Sequence, residues 1–81
     1  MGERRLDVSS LEPPGPFAAA LAALRELPPG DWLVLAHRRE PVPLLDLLAG
    51  LGFRHRVRKG SAVPVEVVIW RAADPEPAAR P

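Results

Sequence analysis

Two histidines and the carboxylates near them are the first candidates for chemistry in this sequence. His37 ends a continuous apolar run, and His55 lies on a different predicted strand. With Glu12 or Glu40 nearby, the two imidazoles would form a metal site of the two-histidine, one-carboxylate kind. Their spacing matches no compact metal motif, so packing and hydrogen bonding are the alternative roles. No cofactor is required, and a metal stays open as a hypothesis.

A second candidate is a row of arginines on the third predicted strand. Arg54, Arg56 and Arg58 alternate with less polar residues and project to one side, beside Trp70 on the last predicted strand. Basic groups near an aromatic ring bind RNA through phosphate contacts and stacking. Because only one tryptophan stands there and the formal net charge is +1, a solvated strand face is favoured and nucleic acid is not an expected partner.

Two proline-rich loops, each ahead of a predicted helix, carry the other polar candidates. A helix N-terminus can hold an anion through free N–H groups, but the prolines of the first loop supply none. The second loop follows the apolar run and is basic. We expect these loops and the arginine face to contact a small ligand or a protein partner through Glu12, Pro13, Pro14, Pro16, His37, Arg38, Arg39, Glu40, Arg54, Arg56 and Trp70.

The sequence offers no complete set of groups for covalent catalysis. It contains no cysteine, which excludes disulfides, thiolate ligands and thiol nucleophiles. Its only hydroxyls are Ser9, Ser10 and Ser61, all in predicted loops, and Asp7 and Asp46 have no evident histidine partner. We therefore expect no enzymatic activity from this chain.

Length and composition bound the architecture. The 81 residues suffice for one domain, which buries only about 60% of its unfolded surface at this size. No run approaches the ~18 apolar residues of a membrane span, and no apolar segment of a signal peptide follows the charged start. A small domain without disulfide staples is expected in the cytoplasm. Eleven prolines and the absence of Asn and Gln suit a heat-adapted source or a GC-rich genome.

Alternating strands and helices must position the candidate residues. Period-two and helical patterns predict strands over 6–8, 32–37, 53–59 and 63–70, and helices over 17–27 and 43–51. The order β-α-β-α-β-β implies parallel pairing for the first strands and an antiparallel hairpin at the end. We predict a two-layer α/β sandwich, a mixed four-stranded sheet with both helices on one face, spanning 1–71, followed by a disordered tail over 72–81.

Parts of this sequence resemble a known family. The segment from Leu6 through Pro13-Pro14-Gly15-Pro16, and the turn Pro28-Pro29-Gly30-Asp31, resemble the opening of the TusA-like (SirA-like) family. The stretch from His37 to Leu44, followed by Gly52-Phe53, resembles the cysteine-lacking branch of that superfamily, catalogued as a domain of unknown function. The resemblance implies the same two-layer fold over roughly residues 6–71.

The resemblance also bears on function. Relatives with a motif cysteine carry sulfur as a persulfide and dock to partners that pass it on. Pro13 stands at that position here, and persulfide chemistry needs a thiolate. We therefore expect a non-catalytic binding or accessory module of a redox or sulfur-handling system. The alternatives are a metal- or cofactor-binding sensor domain using His37 and His55, and an RNA-binding domain using the arginine face.

Overall fold

The computed structural model describes residues 2–77, and within them the predicted element order is confirmed. The chain forms β1 (Glu3–Asp7), α1 (Gly15–Arg25), β2 (Trp32–His37), α2 (Val42–Leu48) with a following 3-10 turn (Ala49–Leu51), β3 (Phe53–Lys59) and β4 (Val65–Arg71). Gly52 follows the turn with φ of 88°, a left-handed conformation that glycine adopts without strain. No helix in this part of the chain is long and apolar enough to cross a membrane.

The four strands form one mixed sheet, as predicted, in the order β1-β2-β4-β3. β1 runs parallel to β2, while β4 runs antiparallel to both β2 and β3. The two central strands are the apolar ones, because a central strand is covered on both faces. β1 and β3 lie at the edges, where charged side chains reach solvent. The sequence predicted a first strand beginning at Leu6. At the sheet edge charged residues are tolerated, so β1 begins at Glu3 instead.

Both helices pack on one face of the sheet, and the main core lies between them. Leu24 of α1 and Leu44 and Leu48 of α2 are buried there against β2 and β4. Leu44 and Leu48 are four residues apart and therefore share one side of their helix. The buried members of this core are Val8, Ala20, Leu24, Leu27, Leu33, Leu35, Leu44, Leu48, Val67 and Ile69.

The face of the sheet opposite the helices carries buried side chains of its own. Val34, Val68 and Trp70 form a second, smaller buried cluster there, with Trp32 packed against it. Trp70 is only 4% exposed. Arg54 and Arg56 of β3 are the register partners of Trp70 and Val68, so charged side chains flank this cluster.

Residues 72–77 also contact this second face. Glu76 accepts a hydrogen bond from Nε of Arg56 at 2.6 Å, which joins the chain after β4 to the edge strand β3. The disordered tail predicted over 72–81 stays a prediction, and its part 78–81 lies outside the described residues.

Candidate functional site

The two proline-rich loops converge on one cleft of about 380 Å³ at the carboxyl ends of β1 and β2. The two strands run parallel, so the loops that follow them emerge at the same edge of the sheet. Ligands of α/β proteins commonly bind at such an edge, in pockets of roughly 300–1,000 Å³. The cleft is lined by Pro13, Pro14, Pro16, Phe17, Leu35, His37, Arg38, Arg39, Glu40, Pro41, Val42, Pro43 and Leu44.

The cleft is mostly apolar because it is a continuation of the main core. Leu35 of β2 and Leu44 of α2 belong to that core and also reach the cleft. Phe17, in the first turn of α1, is partly buried against them. Prolines of both loops complete the walls, and they offer no backbone N–H to a ligand. The floor and walls therefore favour an apolar ligand surface over a strongly hydrated one.

His37 is a buried polar residue of the cleft lining, whereas the charged lining residues are exposed. It is 7% exposed, and its Nδ1 accepts a hydrogen bond from the backbone N–H of Arg39 at 3.2 Å. Because Nδ1 is the acceptor, the neutral ring carries its proton on Nε2, an assignment made from this hydrogen bond. Burial, followed by the charges of Arg39 and Arg38, lowers the pKa of His37. At neutral pH the imidazole is uncharged and is a hydrogen-bond donor through Nε2.

Charged side chains form the outer rim of the cleft. Nη2 of Arg38 lies 3.4 Å from the carbonyl oxygen of Leu11 and 3.5 Å from a carboxylate oxygen of Glu12. This arginine therefore ties the second loop to the first. Arg39 and Glu40 are exposed, and within residues 2–77 neither side chain forms an ion pair. Their charges remain available to a bound molecule.

Most of the residues selected from the loops come together here, and those from the sheet do not. Pro13, Pro14, Pro16, His37, Arg38, Arg39 and Glu40 line the cleft, and Glu12 lies beside it through Arg38. Arg54, Arg56 and Trp70 lie on the opposite face of the sheet. Phe17, Leu35 and Leu44 also line the cleft but were not predicted from the sequence, because they lie in the elements that adjoin the loops and their patterns indicate only core positions.

The two histidines are not brought together. On β4, His37 pairs with Val65 and His55 pairs with Ile69. The two histidines are therefore four residues apart along the strand direction and two strand spacings apart across the sheet. These offsets place them about 16 Å from each other. Residues 2–77 also contain no group of three or more metal-binding side chains. The geometry therefore does not support the hypothesis of a shared metal site, since His37 and His55 lie toward opposite ends of the sheet.

The arginine face differs from its expected arrangement as well. The register confirms that Arg54, Arg56 and Arg58 share a side of the sheet with Trp70, but Trp70 is buried and cannot stack on a base. Glu66, also buried, is hydrogen-bonded by Arg58. The RNA-binding alternative would need Trp70 for stacking, and this side chain is packed in the second cluster instead.

The buried carboxylate of Glu66 is stabilised in its charged form. Arg5 donates to it at 2.6 Å and Arg58 at 2.8 Å. The hydrogen bond from Arg5 is the main cause that lowers the pKa of Glu66, and it outweighs the opposing effect of burial. These two arginines are therefore engaged with the protein's own carboxylate.

Fold and site together define a small two-layer α/β domain with an apolar cleft between its strand-to-helix loops. Residues 5–71 match one family, described as an uncharacterized conserved protein (DUF2249), and the chain belongs to that family. No curated protein matches this chain, and no solved structure matches it. The match agrees with the expected membership in a domain family of unknown function.

We predict that replacing His37 by asparagine weakens the pH dependence of stability. Because the pKa of His37 is lowered in the folded state, the unfolded chain binds more protons as the pH falls below 6.5. The contribution of the neutral ring is present above that pH and is lost below it. Thermal melts from about pH 7.5 to about pH 5.5 bracket the ordinary pKa of histidine. Over this interval the Tm of the variant should decrease less than the Tm of the natural chain. Asparagine retains an oxygen for the N–H of Arg39. Equal slopes would contradict the assignment.

Proposed function

We propose that this chain is a non-catalytic binding module whose cleft holds a small molecule with an apolar body and one acidic group. The observation that carries the proposal is the convergence of both proline-rich loops on an apolar cleft whose lining includes the buried His37. A concave, largely apolar site with a few polar groups is the usual form of a small-molecule site.

The polar groups of the cleft favour an acidic group on the ligand. Because Nδ1 of His37 accepts from Arg39, Nε2 is the donor atom of the neutral ring and favours an acceptor atom on a bound molecule. Arg39 contributes a positive charge that no carboxylate neutralises within the described residues. Glu40 adds a negative charge to the same rim and disfavours a multiply charged anion. A single carboxylate or sulfonate on an apolar body fits these constraints best.

The residues of the cleft support binding without catalysis. Its lining contains no hydroxyl or thiol nucleophile, and Pro13 stands where TusA-like relatives place a sulfur-carrying cysteine. Among the lining residues, His37 carries the group suited to proton transfer near neutral pH. The hydrogen bond from Arg39 holds Nδ1 of His37 as an acceptor. We therefore assign His37 a positioning and recognition role.

The likeness to TusA-like proteins remains part of this proposal. The element order, the two helices on one face and the prolines between β1 and α1 are what supports it. On this view the module serves a cytoplasmic redox or sulfur-handling system by holding a ligand or docking to a protein, without carrying sulfur itself. The histidine metal site and the RNA-binding face have no comparable geometric support.

We predict that filling the cleft weakens ligand binding. The probe is anilinonaphthalene sulfonate, a fluorophore with an apolar body and one acidic group. Val42 lines the cleft and is 51% exposed, so Val42→Trp should occupy the cleft without disturbing the core. The variant should reduce probe affinity by about tenfold or more, which corresponds to ~1.4 kcal/mol of lost contacts. Fluorescence titration measures this loss.

A matched control lies on the same helix. Leu47 is 45% exposed and does not line the cleft, so Leu47→Trp should bind the probe as the natural chain does. Arg39→Ala should weaken binding and reduce its dependence on salt. Unchanged affinity in Val42→Trp, or equal losses in both tryptophan variants, would contradict the proposed site.

A further inference from the structure

The edge strand β3 is the longest exposed part of the sheet. Within residues 2–77 it pairs only with β4, on one of its two sides. Phe53 is half-buried, and every later residue of the strand is exposed. The helices do not cover His55 and Val57. Both side chains therefore reach solvent, although they share a side of the sheet with the main core.

Hydrogen bonds at both ends of β3 show which backbone groups point outward. The N–H of Ala72 donates to Gly52, and the N–H of Gly60 donates to Pro64. In an antiparallel pair, residues alternate between facing the partner strand and facing away from it. The even-numbered residues of β3 therefore bond to β4. The amide and carbonyl groups directed outward belong to Phe53, His55, Val57 and Lys59.

The side chains of β3 form two different rows. Arg54, Arg56 and Arg58 lie on the face of Trp70, while His55, Val57 and Lys59 lie on the helix side. Of the three arginines, Arg56 and Arg58 are bonded to carboxylates of this chain. The structure shows no carboxylate bonded to the Arg54 side chain in residues 2–77. A strand laid along β3 would meet the unneutralised charge of Arg54 on one side. On the other side it would meet a row in which Val57 is apolar and Lys59 is charged.

We propose that β3 accepts an extended acidic segment of a partner protein as a fifth strand. Addition of a strand to an exposed sheet edge supplies backbone hydrogen bonds, and the side chains on alternating positions supply specificity. The complementary segment alternates acidic and apolar residues, with the acidic ones beside the arginine row.

The charge of β3 selects this occupant over a second copy of the chain. Antiparallel pairing of two β3 strands would set their arginine rows side by side, and like charges placed opposite each other destabilise a sheet. Positive side chains are a common protection of edge strands against such self-pairing. The same charges attract an acidic strand.

The test uses a seven-residue peptide of alternating glutamate and valine with blocked ends, matched in length to β3. We expect it to bind the full chain, with an affinity that decreases as salt is added. A peptide of alternating lysine and valine is the control and should not bind. Isothermal titration calorimetry measures both. Absence of binding by the glutamate peptide would overturn the proposal.

Two variants locate the contact. Val57→Pro removes an outward N–H without removing a bond to β4, and a proline is tolerated at such an edge position. Arg54→Glu reverses the charge that no carboxylate of the described chain neutralises. Each should weaken peptide binding about tenfold, the effect expected of one good hydrogen bond or charge contact. Binding of anilinonaphthalene sulfonate should be unchanged in both, which separates this surface from the cleft.

Amide hydrogen exchange gives an independent readout if Val57→Pro does not fold. The glutamate peptide should slow exchange at His55 and Val57 in the natural chain, while Arg54 and Arg56, already bonded to β4, should change little. Peptide affinity that is insensitive to Arg54→Glu, or slowed exchange confined to the cleft loops, would overturn the assignment of β3.

Discussion

Replacing Leu44 by alanine is expected to lower the free energy of unfolding by about 3 kcal/mol. Leu44 is 2% exposed and packs in the main core against the sheet. Truncation removes buried methyl groups and leaves a cavity that the surrounding side chains fill only in part. Urea denaturation followed by circular dichroism measures the change.

Leu47 provides the matched control for this prediction. It lies on the same helix, three residues further on, but points to solvent. Leu47→Ala should therefore change the unfolding free energy by only about 0.5 kcal/mol or less, as is usual for surface positions. Equal losses in the two variants would show that α2 does not pack on the sheet as described.

Replacing Gly60 by alanine is expected to destabilise the turn between β3 and β4 by about 2 kcal/mol, within the usual cost of overpacking. A Cβ at this position would lie 2.3 Å from the carbonyl oxygen of Val63 and 3.2 Å from Cγ of Glu66. The nearest atom belongs to the backbone, so the turn itself must shift to relieve the contact. Thermal and urea unfolding measure the loss.

Gly50 is the control for the turn. An added Cβ there has no atom within 4 Å, and Gly50 lies in the helical turn after α2. Gly50→Ala should be neutral or slightly stabilising, because alanine loses less conformational entropy than glycine. A Gly60→Ala variant as stable as Gly50→Ala would mean that the chain path between β3 and β4 differs from the one described.

The element order was predictable because local signals agree with the final packing. The apolar run of β2 predicts a central strand, and that is its position. The prolines between β1 and α1 and the glycine after α2 mark helix boundaries by their backbone chemistry alone. Alternation along β3 correctly placed its arginines on one side of the sheet.

Burial on the second face was not predictable from local pattern. The alternation of β4 placed Trp70 on a face that was expected to be open, yet it is buried with Val34 and Val68. That burial depends on which strands are neighbours and on contacts such as that between Glu76 and Arg56. These are long-range effects that no short window of sequence contains. The exposure of His55 likewise depends on the position of β3 at the edge of the sheet, which no short window of sequence shows.

The loops of the cleft could be predicted from the sequence, but the side chains that form its floor could not. Parallel pairing of β1 and β2 requires the following loops to meet, so the loop residues around Pro13 and His37 were found. The floor formed by Leu35 and Leu44 depends on how α2 sits on the sheet. The hypothesis of a shared site of His37 and His55 lacks geometric support because the register along β4 separates them.

Mapping amide chemical shifts during titration with anilinonaphthalene sulfonate tests the ligand-binding cleft most directly. The account predicts that the largest changes fall on Phe17, His37, Arg39 and Leu44, with little change along β3. Changes concentrated on β3 or on the second apolar cluster, or no saturable change at any residue, would contradict it.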